Sequence, residues 1–134
     1  MTYKPSPAPA PSSTPALPLW AWRLAFGSCA LAVLVLALVP TDVPVPSTGW
    51  DKSNHLLAFS VMVLLGRRAC PGRTAAVLAA LLAYGALIEV LQSFTPNRSA
   101  QLQDLAADAV GLALGCGLDR LTHVMRRLRN RQQA

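Results

Sequence analysis

The 134-residue chain is 53% hydrophobic but only 13% charged, with a formal net charge of +6 and a mean hydropathy of +0.39. A soluble domain carries charges on about a quarter of its residues. The low share, with the apolar residues grouped in long blocks, argues against an ordinary soluble enzyme and excludes a wholly disordered chain. Three isolated cysteines indicate neither a disulfide framework nor a zinc site. The composition therefore predicts an integral membrane protein.

The predicted elements begin with a proline-rich tail over residues 1–19, since closely spaced prolines prevent helix formation and strand pairing. Residues 20–39 then form an apolar block whose length as a helix matches the ~30 Å hydrocarbon core of a bilayer. No small-residue cleavage site follows this block, so we interpret it as a retained membrane anchor rather than a signal peptide. Three more blocks follow at about residues 51–66, 74–94 and 104–121, and a basic tail occupies residues 122–134.

Charge placement decides how many of these blocks cross the membrane, because the 51–66 block is short for a span when it is judged alone. With four spans and a cytoplasmic amino terminus, ten of the 12 lysine and arginine residues fall on the inner side, which is the bias that sets orientation. The sequence therefore predicts an all-α, four-helix transmembrane bundle over residues 20–121 with both termini in the cytoplasm. The tail arginines are expected to contact anionic lipid headgroups, so their partner is a membrane and not nucleic acid.

Each of the last three predicted helices carries two polar residues one turn apart, close to its outer end. Residues three or four apart share one helix face. A charged side chain costs about 2.5–3.5 kcal/mol at the centre of a membrane helix, so we expect the pairs to point into the bundle. The pairs are Asp51 with His55, Glu89 with Gln92, and Asp104 with Asp108, and the nearest cations are Lys52 and Arg98. Together these residues form the candidate polar pocket.

Most of these residues also have an ordinary structural explanation. Asp51 and Asp104 are predicted to begin helices, where a carboxylate caps free N–H groups, and Glu89 has Arg98 as an available partner. His55 by itself is typical of a satisfied interior histidine. Asp108 has no such explanation because it lies one turn inside a helix rich in alanine and glycine. The set, rather than any one member, therefore indicates a site.

Small residues recur every four positions on the last predicted helix, at Ala107, Gly111 and Gly115. This spacing lets helix backbones approach closely. The stripe therefore predicts tight packing, which would hold Asp104 and Asp108 near the neighbouring helices.

The polar motifs, taken in order, resemble those of the VanZ-like family of small bacterial membrane proteins over about residues 51–118. They are Asp51-Lys52-x-x-His55-x-x-Ala58-Phe59, Glu89-x-x-Gln92, Pro96-x-Arg98, and Asp104 followed by Gly111 and Gly115. The family pattern has asparagine four residues after the aspartate that opens the last helix, where this chain has Asp108. The resemblance implies a multi-pass protein of the bacterial cytoplasmic membrane, linked to low-level resistance to the glycopeptide teicoplanin, and it implies no cofactor.

Three functional hypotheses follow. The leading one is a binding or envelope-modulating protein whose acidic outer pocket holds a polar or cationic group of an envelope lipid precursor or a glycopeptide. The alternative is a membrane-embedded enzyme acting on a lipid-linked substrate, with Glu89 as general base, His55 as acid and Arg98 steadying an anion. A metal ion on His55 and the carboxylates is the third, but no tight local motif supports it, so we expect neither metal nor cofactor.

Overall fold

The computed structural model describes residues 17–40, 50–96 and 100–133. All regular secondary structure within these ranges is α-helical, which confirms the predicted all-α class. The helices are α1 (Leu19–Leu38), α2 (Asp51–Ala69), α3 (Thr74–Gln92) and α4 (Leu102–Gln132). Residues 1–16 of the predicted tail lie outside the described residues. Residues 97–99 between α3 and α4, which include Arg98, also lie outside them.

Helix α4 is longer than the block predicted for it. It begins at Leu102, two residues before the predicted start at Asp104, and continues to Gln132 through most of the predicted basic tail. No glycine or proline follows Gly117, and the arginine, leucine and methionine residues beyond it favour helix. The chain therefore has no local signal that would end the helix near residue 121.

Contacts at both ends of α2 and α4 show that these two helices run parallel. His55 Nδ1 lies 2.9 Å from Asp108 Oδ1 near their starts. About 18 Å further along both axes, Arg67 Nη2 lies 3.2 Å from Asp119 Oδ2.

Helices α1 and α3 also run parallel to each other, in the opposite direction. Tyr84 donates a hydrogen bond to Ala30 O at 2.5 Å, and Gln92 donates one to Ala37 O at 3.0 Å. The end of α3 lies beside the start of α4, since Glu89 accepts a hydrogen bond from the residue that precedes α4. Successive helices therefore alternate in direction.

Helix α2 lies at the centre and contacts the other three helices, whereas α1 and α4 do not contact each other in the described part of the chain. A continuous apolar cluster joins α2, α3 and α4 in the middle of the bundle. Its members are Phe59, Met62, Val63, Val77, Leu81, Ile88 and Leu112. Most of the other large apolar side chains face outwards, including Leu114, Leu118 and Leu121 of α4, each more than half exposed.

The predicted small-residue stripe of α4 faces α2. A Cβ atom on Gly111 would lie 2.5 Å from Leu56 O, and one on Gly115 would lie 2.6 Å from Ser60 O. The Ser60 hydroxyl contacts both Leu56 O, at 2.7 Å, and Gly111 O, at 2.9 Å, so it bridges the two backbones. The predicted close approach is confirmed.

Among the described helices, α1 and α3 are long and apolar enough to cross a membrane. Helices α2 and α4 are similar in length or longer, but each carries several ionisable residues. By length and composition, two of the four described helices could therefore cross a membrane. For α2 and α4 the direction of the polar side chains has to be considered as well.

Candidate polar pocket

Buried polar side chains gather at the end of the bundle where α2 and α4 begin and α3 ends. The exposed fractions are 7% for His55, 7% for Glu89, 2% for Gln92, 1% for Asp104 and 0% for Asp108. Each of the three helices turns polar residues inwards at this level: His55 on α2, Glu89 on α3, and Asp104 with Asp108 on α4. The helices thus bring polar groups distant in sequence into one layer.

The centre of this layer is the pair formed by His55 and Asp108. With the carboxyl ionised, the Nδ1–H group donates to Asp108 Oδ1 across 2.9 Å. The imidazole also lies nearly parallel to the ring of Phe59, with centroids 6.5 Å apart and planes 8° apart. Two contacts therefore fix the orientation of the imidazole, and Nε2 remains available for another partner.

Space for the Asp108 carboxyl comes from Gly85 on α3. A Cβ atom at Gly85 would collide with Asp108 Oδ2 and would lie 3.1 Å from Phe59 Cζ. Sequence reasoning missed this glycine. The available signal was its position four residues before Glu89, which places the two on the same helix face.

Glu89 is held by the backbone at the start of α4. Its Oε2 atom accepts a hydrogen bond of 2.6 Å from the Gln101 N–H group. This contact joins the end of α3 to the residue that precedes α4, three positions before Asp104. The sequence placed Gln101 only in the connector between the third and fourth predicted helices. A hydrogen bond donated by a backbone N–H group does not depend on the side chain, so it cannot be predicted from the residue type.

Asp104 lies in the first turn of α4 beside Lys52. Lys52 Nζ is 3.4 Å from Asp104 Oδ1, and it also donates to Gln101 Oε1 at 3.3 Å. The residues that cap α2 and α4 are Trp50 and Gln101, and neither cap involves a side-chain hydrogen bond. Asp104 therefore does not cap the start of α4 as predicted. Its side chain instead forms an ion pair with Lys52.

Asp51 lies at the exposed edge of the pocket. One of its carboxylate oxygens, one His55 ring nitrogen and one Asp104 oxygen lie within 4.8 Å of one another. Gln92 is directed elsewhere, because its amide donates to Ala37 O and so joins α3 to α1. Arg98, the remaining predicted member, lies outside the described residues.

Three buried carboxylate oxygens accept no hydrogen bond within the described part of the chain. They are Glu89 Oε1, Asp104 Oδ1 and Asp108 Oδ2. A buried polar atom left without a partner costs about 1–3 kcal/mol, and more if it is charged. Among the described residues, the buried acids of this layer outnumber its one lysine, Lys52, so the arrangement suits protons or a cation.

A second polar cluster lies at the opposite end of α2 and α4. Asp119 is 5% exposed and pairs with Arg67 at 3.2 Å and Arg68 at 3.5 Å. The Arg68 guanidinium also lies 5.4 Å from the Trp22 ring, which ties α1 to this end. Asp119 has two arginine partners, so this cluster is electrostatically satisfied.

One comparison with known proteins gives a match. The family model described as VanZ/LLP1 matches residues 34–123, which is more than half of the chain. No curated protein and no solved structure matches the chain. The matched region includes all of α2 and α3 and the part of α4 up to His123, and therefore every residue of the candidate pocket.

Proposed function

Because the chain belongs to the VanZ/LLP1 family, we propose that it is a multi-pass protein of the bacterial cytoplasmic membrane that modulates the cell envelope. Its polar pocket opens near the outer face and binds a cationic or polar group of an envelope lipid precursor or of a teicoplanin-type glycopeptide. The observation that carries this proposal is that three buried carboxylate oxygens accept no hydrogen bond from the residues that the structure describes.

The distribution of side chains supports four membrane spans. On α4 the acids Asp104, Asp108 and Asp119 are buried while Leu114, Leu118 and Leu121 are exposed, the reverse of a soluble helix. Intramembrane ionisable residues almost always face the bundle interior. The 19 residues of α2 give a helix of about 28 Å, close to the thickness of the hydrocarbon core. Alternating helix directions also fit a chain that crosses the membrane four times.

Reporter fusions test this topology. Fusions after Gly72 and after Ala134 are expected to report the cytoplasm, because both follow helices that run towards the arginine-rich inner side. A fusion between α1 and α2, after Ser47, serves as the periplasmic control. A periplasmic signal after Gly72 would contradict the four-span arrangement.

The chemistry of the ligand follows from the charges in the pocket. Among the described residues, this layer holds the buried carboxyl groups of Glu89, Asp104 and Asp108 and one lysine, Lys52, so a cationic group gains more there than an anionic one. The attraction is stronger than in water because the surrounding dielectric constant is low. His55 and Gln101 add hydrogen-bonding groups that can orient a polar ligand.

Glycopeptide susceptibility and direct binding test this function together. Expression of the chain in a susceptible bacterium is expected to raise the inhibitory concentration of teicoplanin, and the purified protein is expected to bind the glycopeptide in detergent. Asp104→Asn should weaken both effects, because it removes a buried charge from the pocket. Asp119→Asn, a buried acid at the opposite end, is the matched control and should preserve them. Equal behaviour of the two variants would refute the pocket as the binding site.

A catalytic function is the second candidate, favoured by the hydrogen bond between Asp108 and His55 Nδ1. A carboxylate that holds one imidazole nitrogen leaves the other free to transfer a proton, as in hydrolase triads. Glu89→Gln separates the two candidates. Loss of a general base lowers turnover by about 10²–10⁴-fold, whereas a binding pocket would lose no more than about 1–3 kcal/mol of affinity.

A further inference from the structure

The edge of the pocket contains three potential metal ligands from two helices. One oxygen each from Asp51 and Asp104 and one nitrogen of His55 lie within 4.8 Å of one another. Metal–ligand bonds of about 2.0–2.2 Å separate the ligands of one ion by no more than about 4.4 Å. A small inward movement of these side chains would therefore bring them to bonding distance.

The histidine is already arranged as metal-bound histidines are. Its Nδ1 atom is engaged by the Asp108 carboxyl, which leaves Nε2 as the ligating nitrogen. A carboxylate behind the imidazole fixes its tautomer and raises its basicity as a ligand. Stacking on Phe59 limits rotation of the ring.

An independent observation indicates that a cation is required here. Asp104 is 1% exposed, yet its Oδ1 atom accepts no hydrogen bond from residues 17–40, 50–96 or 100–133. Lys52 Nζ lies 3.4 Å away, but the Lys52 side chain is 25% exposed and can turn out into solvent. Glu89 Oε1 is also buried without a partner in the described part of the chain. Among the described residues, the cation paired with Asp104 is Lys52, whose partly exposed ammonium group a divalent metal ion can replace.

We propose that Asp51, His55 and Asp104 bind a divalent transition-metal ion, with Asp108 as the residue that positions the imidazole. The ligand set favours Zn²⁺ or Mn²⁺, because imidazole nitrogen suits these ions better than it suits Mg²⁺ or Ca²⁺. Three protein ligands leave at least one coordination position open. The inference rests on the pocket proposed above, and the open position would accept an oxygen donor of the envelope ligand.

Metal titration of the full chain, purified in detergent and treated with chelator, tests the proposal. We expect one Zn²⁺ or Mn²⁺ ion per chain by calorimetry and elemental analysis, with much weaker binding of Mg²⁺. Asp108→Asn is expected to weaken binding by about 10–100-fold, as loss of an outer-shell partner does elsewhere. Asp104→Asn should weaken it further, because it removes a ligand.

His123→Gln is the matched control, because His123 is the second of the two histidines in the chain and is 65% exposed at the opposite end. It should leave the affinity unchanged. Lys52→Gln tests the site without replacing any of its buried acids, so a loss of folding caused by removal of an acid cannot explain its result. Removal of the competing ammonium is expected to raise metal affinity, so no change in this variant, or no binding by the unaltered chain, would overturn the proposal.

The outcomes separate this inference from the proposed function. Glycopeptide binding that persists in a chain without metal affinity would overturn the metal site alone. Metal binding at the pocket without any effect on glycopeptide binding or susceptibility would preserve the metal site and overturn the proposed ligand.

Discussion

Replacement of His55 by leucine is expected to destabilise the folded protein by about 3–5 kcal/mol, because removal of one partner from a buried pair leaves the other uncompensated. Asp108 is fully buried, and its second carboxylate oxygen already lacks a hydrogen bond from the described residues. The variant would leave both oxygens without a partner. Unfolding by denaturing detergent or by heat, in mild micelles, measures the change.

The double variant His55→Leu/Asp108→Leu is expected to recover most of this loss. Replacement of a whole buried ion pair by apolar residues of similar volume is often neutral or stabilising. His123→Leu, which removes a largely exposed histidine, is the matched control and should change stability by no more than about 0.5 kcal/mol. If the single His55 variant were as stable as the unaltered chain, the pair would not hold the helices together.

The second large effect is expected from Gly111→Ala, at about 1–3 kcal/mol of destabilisation, the usual cost of overpacking. The added Cβ atom would meet Leu56 at its backbone, with the carbonyl oxygen 2.5 Å and the Cα atom 3.2 Å away. A side chain could rotate aside, but a helix backbone can yield only if α2 and α4 separate. Separation would also break the Ser60 hydrogen bond to Gly111 O.

Gly117→Ala isolates this steric cost from the effect of alanine on helix stability. Gly117 lies on the same helix, and a Cβ atom there would have nothing within 4 Å. Alanine stabilises a helix interior by about 0.5–1 kcal/mol relative to glycine, so this variant should be neutral or slightly more stable. Equal stabilities for the two alanine variants would contradict close backbone packing at Gly111.

Helix spacing predicted that polar residues on three helices turn inwards, and His55, Glu89, Asp104 and Asp108 are buried, whereas Asp51 lies at the exposed edge. Residues one turn apart share a face whatever the tertiary structure, so the pairing of Asp51 with His55 and of Asp104 with Asp108 followed from spacing. The small-residue stripe predicted a close helix contact for a similar reason. Both features depend on helix geometry alone.

The remaining features depend on contacts that spacing does not determine. Gln92 lies one turn beyond Glu89, yet its amide bonds to α1, because Ala37 O is the acceptor available to it. Gln101 contributes its backbone N–H group, which every residue except proline has, so the sequence could not single it out. The space that Gly85 leaves for Asp108 appears only when α3 and α4 are packed together.

The parallel arrangement of α2 and α4 has an electrostatic consequence. Their amino-terminal ends lie side by side at the pocket, and each helix dipole places about half a positive charge at that end. In an antiparallel pair the two fields would oppose each other, whereas here they add. The backbone therefore compensates part of the negative charge of Asp51 and Asp104, which lie in the first turns. Asp108 lies beyond the first turn, where this compensation fades.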